Sequence, residues 1–154
     1  MKLEEEIKSS KFNDEQHRAT VNLLFTSYWL KNNLSNTLKE CGLTMEQHNV
    51  LRILKGSHPE QMCVKEIGSR IVEKSSNVPR IIDRLVVKKL VKRTQSKQDK
   101  RETLVSLTEK GVSVIDHAKK EVDKQTNQIV NLTAEEAKTL NDLLEKLRAG
   151  DDVK

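Results

Sequence analysis

Aromatic residues, glycine, proline and cysteine are all scarce in this chain of 154 residues. It has one Trp, one Tyr, two Phe, five Gly and two Pro, too few turn formers for an all-β protein. The two cysteines, Cys41 and Cys63, are too few for a disulfide framework, so free thiols are expected. No apolar run approaches the roughly 18 residues of a membrane-spanning helix, and the acidic N-terminus lacks a secretory signal pattern. These absences favour a mainly helical, cytoplasmic protein.

Positive charge is concentrated in one segment of the chain. Overall, 28 Lys and Arg against 23 Asp and Glu give a net charge of +5. Between Lys74 and Arg101 there are ten basic and two acidic residues, so this segment carries +8 and the remainder carries −3. A basic segment on a nearly neutral body is typical of a protein that binds a polyanion. A solvated surface with an unpaired excess of charge is the alternative.

A long helix is predicted from about Asn13 to Cys41, because apolar residues recur there at near-heptad spacing without a breaker. Asn13 and Gln16 have the spacing of a capping box, and Gly42 can end the helix in the left-handed conformation. A helix of about 28 residues is long for a globular domain, so it is expected to cross a domain or subunit boundary.

Shorter helices are predicted in the middle of the chain. Thr44 and Gln47 form a second capping box, and Gly56 is expected to close the helix that begins there. A short amphipathic helix follows. The next helix, from about Ser76 to Lys89, has an apolar stripe on one side and Pro79 in its first turn, where the missing N–H is tolerated.

The pattern then changes to that of a β-hairpin. Two runs rich in Val, Leu and Thr, at Leu90–Gln95 and Glu102–Leu107, flank a charged tip. A long helix is predicted from Thr108, and a third capping box, Thr133 with Glu136, begins the last helix.

The helix predicted from Ser76 to Lys89 has a polar side suited to DNA. At i, i+3, i+7 and i+11 this side carries Asn77, Arg80, Arg84 and Lys88. In the major groove, Arg can bond guanine O6 and N7 together, and Asn can bond adenine N6 and N7. Lys88 and the N-terminal Ser75 and Ser76 suit phosphate contacts better. With a basic hairpin directly after it, the helix predicts double-stranded DNA as the partner, and an ordinary surface helix is the alternative.

Four motifs carry a resemblance to a known family. They are LTMEQHNVLRIL from Leu43, SSNVPRIIDRLVVKKLVKR from Ser75, DKR from Asp99 and VSLTEKG from Val105. Over roughly residues 13–148 the chain resembles the MarR family of winged-helix transcription regulators. The resemblance implies a mainly α fold with a small β-hairpin wing. A winged helix-turn-helix DNA-binding domain at residues 43–107 would be flanked by a helical dimerisation domain at residues 1–42 and 108–154.

The resemblance also implies a homodimeric regulator, with repression favoured, on a palindromic operator. The hairpin would reach the minor groove, where Arg101 matches the family's wing-tip Arg and Asp99 matches the acid that orients it. Lys97 and Lys100 belong to the same predicted DNA-binding set. A narrow minor groove attracts a guanidinium, and Asp99 as an ordinary turn residue is the alternative. Pro79 departs from the family, in which many members carry a small hydroxyl residue, and this puts one phosphate contact in doubt.

The terminal helices are predicted to form the dimer. Their apolar stripes exceed what one small core must cover, and a larger monomeric core is the alternative. The dimerisation residues expected in the last helix are Leu140, Leu143, Leu144 and Leu147.

A small aromatic acid is a candidate effector. Family members often bind such acids between the dimerisation helices and the winged helix, and Phe25, Tyr28 and Trp29 hold three of the four aromatics within five residues. Core or interface packing is the other interpretation of this cluster. The family's peroxide-sensing thiol is disfavoured, because no cysteine precedes Cys41.

No cofactor, metal site or enzymatic activity is predicted. The four histidines have no ligand spacing, and no orienting acid or oxyanion site accompanies Cys41 and His48. A winged-helix module that binds protein rather than DNA is the alternative function.

Overall fold

The structure is a computed structural model that describes residues 1–72 and 77–149. Its elements in chain order are α1 (Leu3–Glu6), α2 (Glu15–Glu40), α3 (Met45–Ser57), β1 (Met62–Cys63), α4 (Val64–Arg70), α5 (Val78–Val87), β2 (Val91–Gln95), β3 (Thr103–Leu107), α6 (Glu109–Ile129) and α7 (Ala134–Arg148). The predicted mainly α fold with a β-hairpin wing is confirmed. Within the described ranges, no helix is both long and apolar enough to cross a membrane.

The long helix α2 begins at a different cap from the one predicted. The Asp14 carboxylate accepts a hydrogen bond of 2.7 Å from the backbone N–H of His17, whereas the backbone N–H of Asn13 donates to the His17 ring. The prediction of Asn13 as the cap was wrong, because neighbouring Asn and Asp are equally good caps and the spacing alone does not choose between them. The predicted end is confirmed, since Gly42 has a φ of +73°.

The other two capping boxes are confirmed. At Thr44 and Gln47, and again at Thr133 and Glu136, each side chain of the pair bonds the backbone of the other residue. Gly56 does not close α3, which continues to Ser57. Gly56 is not among the residues of positive φ, so it extends the helix like any other residue.

The sheet has the order β1-β3-β2, and both pairings are antiparallel. Strand β1 was not predicted, because two residues are too short to show an alternating pattern. Helices α3, α4 and α5 pack with this sheet around a core whose most buried members include Leu51, Leu54, Ile67, Ile82, Leu85 and Val105. This core orients α5 and the β2–β3 hairpin.

Helix α6 starts in contact with the turn between α5 and β2. The Thr108 hydroxyl caps the helix by accepting from the Gly111 N–H and itself donates to the Lys89 carbonyl at 2.8 Å. A Cβ on Gly111 would lie 1.9 Å from the Leu90 carbonyl oxygen. Only glycine therefore permits this approach, which joins α6 to the winged-helix core.

The terminal helices bury few side chains. Helix α7 has no buried residue, and α2 has only Leu38. Leu143 is 58% exposed and Leu147 62% exposed, while Leu144 is half-buried. The apolar stripes of these helices thus lie largely outside the core of the single chain.

Candidate nucleic-acid interface

Helix α5 is buried along one side and open on the other. Val78, Ile82 and Leu85 face the core. The helix begins after Asn77, and Pro79 lies in the first turn as predicted. The predicted contacts Ser75 and Ser76 lie outside the described residues.

The open side of α5 presents two arginines that have no partner among residues 1–72 and 77–149. Arg80 and Arg84 are both exposed, and they lie with Val87 within an arc of about 60° opposite the buried side, given 3.6 residues per turn. Val87 is 82% exposed. Sequence reasoning missed Val87, because only polar side chains were sought on this face.

Lys88 points away from that face. Its ammonium donates to the carbonyl of Gly42 and, at 2.9 Å, to the side chain of Gln47. The turn at the end of α2 leaves carbonyl oxygens that a nearby cation stabilises. A phosphate contact by Lys88 stays a prediction, and it would require the ammonium to leave these two acceptors.

The wing is defined as residues 91–107, and its tip is the turn at residues 96–102. Side chains within the tip stabilise this turn. The Ser96 hydroxyl accepts from the backbone N–H groups of Gln98 and Asp99, both at 3.2 Å. The Asp99 carboxylate accepts from the backbone N–H of Arg101 at 2.9 Å. Asp99 was expected to hold the Arg101 guanidinium; it bonds the Arg101 backbone instead, because the turn brings that N–H within reach. In this structure Asp99 therefore acts as a turn residue.

Three cations at this tip are free to bind an anion. The side chains of Lys97, Lys100 and Arg101 are exposed and have no partner in the part of the chain that the structure describes. Together with Arg80 and Arg84 they form two separate basic sites, one on a helix and one on a hairpin. This arrangement suits a helix in a major groove and a hairpin in the neighbouring minor groove.

The wing and α5 are linked by one arginine that sequence reasoning did not single out. The Arg93 guanidinium donates through Nη1 to Asp83 and through Nη2 to the carbonyl of Pro79, the latter at 3.2 Å. Both acceptors lie on α5, whereas Arg93 lies on β2. Residues 10 and 14 positions apart give no periodic signal in a sequence.

Comparison with known proteins decides the family. The family model described as transcriptional regulator SarA/Rot matches residues 33–118, more than half of the chain. The chain belongs to the SarA/Rot family of transcriptional regulators. The helix-turn-helix regulator SarZ of Staphylococcus epidermidis is 31% identical over 103 residues, covering 67% of this chain and 68% of SarZ. The regulator MgrA of Staphylococcus aureus is 28% identical over 146 residues, covering 91% and 97%.

The resemblance of this SarA/Rot regulator to the MarR family is also confirmed. A crystal structure of a mutant MarR from Escherichia coli in complex with operator DNA superposes with a TM-score of 0.76 at 26% identity. The match covers 90% of this chain and 99% of that one.

In this SarA/Rot regulator the aromatic cluster is divided between two environments. Phe25 and Trp29 are half-buried on one side of α2, whereas Tyr28 is 65% exposed. The binding of an aromatic acid by these three residues stays a prediction.

The cysteines of the regulator show no feature of a reactive site. Burial raises the pKa of the Cys41 thiol, and the nearby carboxylates of Glu121 and Glu40 raise it further, so the thiolate is disfavoured. Cys63 caps α4, where its sulfur accepts from the Glu66 N–H. Within residues 1–72 and 77–149, no three His, Cys, Asp or Glu residues are grouped to hold a metal ion.

Proposed function

We propose that this regulator binds double-stranded DNA in a sequence-specific manner, with α5 in the major groove and the wing in the adjacent minor groove. The observation that carries the proposal is the open face of α5. Arg80 and Arg84 lie there unpaired, on the side opposite the core, and a free arginine can bond guanine O6 and N7 together. Asn77 at the start of α5 extends the same set, and Lys97, Lys100 and Arg101 at the wing tip supply the flanking contacts.

The regulator acts as a homodimer on a palindromic operator. The exposed leucines of α7, together with exposed Leu24 and Tyr28 of α2, supply apolar area that the single chain leaves uncovered. Residues 1–42 and 108–154 would form the dimerisation domain, and residues 43–107 the DNA-binding domain. A two-fold axis through the dimer would place two copies of α5 about one turn of DNA apart, which requires half-sites of matching spacing.

Selection from a pool of random duplexes tests the proposal directly. The regulator should enrich a two-fold symmetric sequence, and the affinity for it should fall steeply with salt, because phosphate contacts release counterions. Sedimentation should give the mass of a dimer. Failure to enrich any duplex would contradict the proposal and favour a winged-helix module that binds protein.

Repression released by a small aromatic acid completes the proposed function. A ligand beside Trp29 would change the geometry of α2 and so the separation of the two DNA-binding helices. Since Trp29 is the only tryptophan, its fluorescence reports this site during titration with salicylate-like acids. A change in emission together with weaker operator binding is expected. A change in emission alone would contradict the switch, and no change would assign the aromatic residues to packing.

The protein is further proposed to act in the cytoplasm and to have no enzymatic activity. The family and the relatives above are transcriptional regulators. The raised pKa of the Cys41 thiol supports the second point, because it disfavours the thiolate form of the best candidate nucleophile.

A further inference from the structure

The wing and α5 are joined covalently by one tight turn. Lys89 lies in the left-handed region with a φ of +60°, and the N–H of Leu90 donates to the Leu85 carbonyl at 3.0 Å. Core packing of Leu85, Leu90 and Val91 holds the base of the hairpin against α5, but the residues of β2 beyond Val91 are exposed, so the angle of the outer hairpin depends on further contacts. DNA binding depends on that angle, because one site enters the major groove and the other the minor groove.

Arg93 supplies such a contact in the exposed part of the strand. It lies on β2 opposite Val105 of the central strand, and its planar guanidinium spans one turn of α5, from the Pro79 carbonyl to the Asp83 carboxylate. A fork of this kind fixes orientation as well as distance. The strand is therefore fixed to the helix at two places, at the turn beside Lys89 and at Arg93. Arg93 lies three residues, or about 10 Å, before the wing tip begins.

The charges of Asp83 and Arg93 do not suit direct contacts with DNA. The Asp83 side chain is 57% exposed and follows Arg80 by three residues on the helix that is to meet the phosphates. A carboxylate there repels DNA, yet it bonds Arg93. The Arg93 side chain is only 34% exposed, and its two donors point at α5. The presence of acidic Asp83 near Arg80 is thus explained by its bond to Arg93.

We propose that Asp83 and Arg93 form a positioning pair that sets the angle between α5 and the wing and thereby the sequence specificity of the regulator. The inference rests on the proposed DNA binding. It predicts an effect opposite in sign to simple electrostatics. Removing the negative charge of Asp83 should weaken specific binding, although it makes the surface more positive.

The experiment compares four variants, Asp83→Asn, Arg93→Gln, Arg93→Lys and the double variant Asp83→Asn with Arg93→Gln. Each is titrated with a duplex selected by the wild type and with an unrelated duplex of equal length. Asp83→Asn should lower the ratio of specific to non-specific affinity by about two- to tenfold, in the lower part of the range for coupled neighbours. Arg93→Gln should lower it equally, and the double variant should be no worse than either.

Two controls separate positioning from charge and from folding. Lys92→Gln removes one positive charge from the neighbouring exposed position on β2 and leaves the pair intact, so it should leave the ratio unchanged. Arg93→Lys keeps the charge and loses the fork, and it should lower the ratio. Thermal unfolding by circular dichroism identifies any variant that fails to fold, and Arg93→Lys then decides the question.

Three results would overturn the inference. Tighter binding of Asp83→Asn to both duplexes, with an unchanged ratio, would make Asp83 an ordinary surface carboxylate. An equal loss on both duplexes for Arg93→Gln, with a salt slope lower by about one, would make Arg93 a phosphate contact. Failure of the wild type to select any duplex would refute the DNA-binding function itself, and the inference with it.

Discussion

The winged-helix core and the terminal helices bury their apolar residues very differently. In the core, α3, α5 and the sheet contribute side chains such as Leu51, Ile82 and Val105 that are fully buried within one chain. In the terminal helices, α2 buries only Leu38 and α7 buries none. The core is complete in a monomer, whereas the terminal helices leave apolar area that a second copy would cover in the proposed dimer.

The difference teaches where the regulator is rigid and where it is adjustable. A packed core tolerates little change in volume, so α5 and the base of the wing are presented in one geometry. An interface between two copies depends on concentration and on bound ligand. Substitutions in the two regions should therefore act on different observables, the stability of the chain in one and its assembly in the other.

The largest expected effect is at the junction of the two regions. Gly111→Ala places a methyl group on the Leu90 carbonyl, and relief requires the backbone to move, so a loss of about 3 kcal/mol or more is expected in the free energy of unfolding. Urea unfolding measures it. Gly56→Ala is the matched control: a Cβ there meets nothing within 4 Å, and this helical position should gain about 0.5–1 kcal/mol. Equal stability of the two variants would refute the close approach at Gly111.

The next largest effect is expected in DNA binding, from the exposed side of α5. Arg84→Ala should cost about 1–3 kcal/mol in specific DNA binding and relax the preference at one base position. Binding to variants of the selected duplex measures both quantities. Lys119→Ala, a loss of the same charge at an exposed position of α6, is the control. If affinity and preference are both unchanged in Arg84→Ala, this face of α5 does not contact bases.

A smaller effect is expected in the terminal region. Leu143→Ala should weaken the dimer by about 1 kcal/mol for each protomer, because roughly half of the leucine side chain remains to be buried. Sedimentation over a range of concentrations measures the dissociation constant, and the unfolding of the monomer should not change. Lys138→Ala, on the opposite side of α7, should leave the dimer intact. An unaltered dimer in Leu143→Ala would place the interface elsewhere.

The smallest effect concerns the wing tip. Arg101→Ala should weaken binding by about 1 kcal/mol on duplexes with A·T-rich flanks and by less on G·C-rich flanks, because a narrow minor groove attracts the guanidinium more strongly. Competition between the two duplexes measures the difference. Lys97→Ala serves as the comparison, since it removes an equal charge from the same tip. An equal loss on both flanks would reduce Arg101 to a phosphate contact.

Sequence reasoning succeeded where the deciding interaction is local. The capping boxes at Thr44 and Thr133, the left-handed Gly42 and the hairpin are each set by residues within a few positions of one another. The amphipathic pattern of α5 likewise identified which side faces the core, and with it the open face that carries Arg80 and Arg84.

It failed where the partner is distant or the choice is nearly degenerate. Asp14 rather than Asn13 caps α2, because two adjacent good caps compete on small differences in backbone geometry. The bonds from the Lys88 ammonium to Gly42 and Gln47, more than 40 residues away, were not predicted, and the phosphate contact of Lys88 stays a prediction. Contacts between residues so far apart are created by the tertiary fold, and no periodicity in the sequence predicts them.

The contact between Lys88 and the turn after α2 allows a rotation of that helix to be transmitted to α5. With 26 residues, α2 is about 39 Å long. The Lys88 ammonium at the end of α5 bonds the carbonyl of Gly42, just beyond the last turn of α2. Trp29 lies 11 residues, or about 17 Å, before the end of α2, so a shift of about 2 Å there turns the helix by about 7°. In the proposed complex, such a rotation would pass through Lys88 to the C-terminal end of α5, the helix that carries Arg84, so a ligand beside Trp29 would act on the DNA-binding face through one side chain.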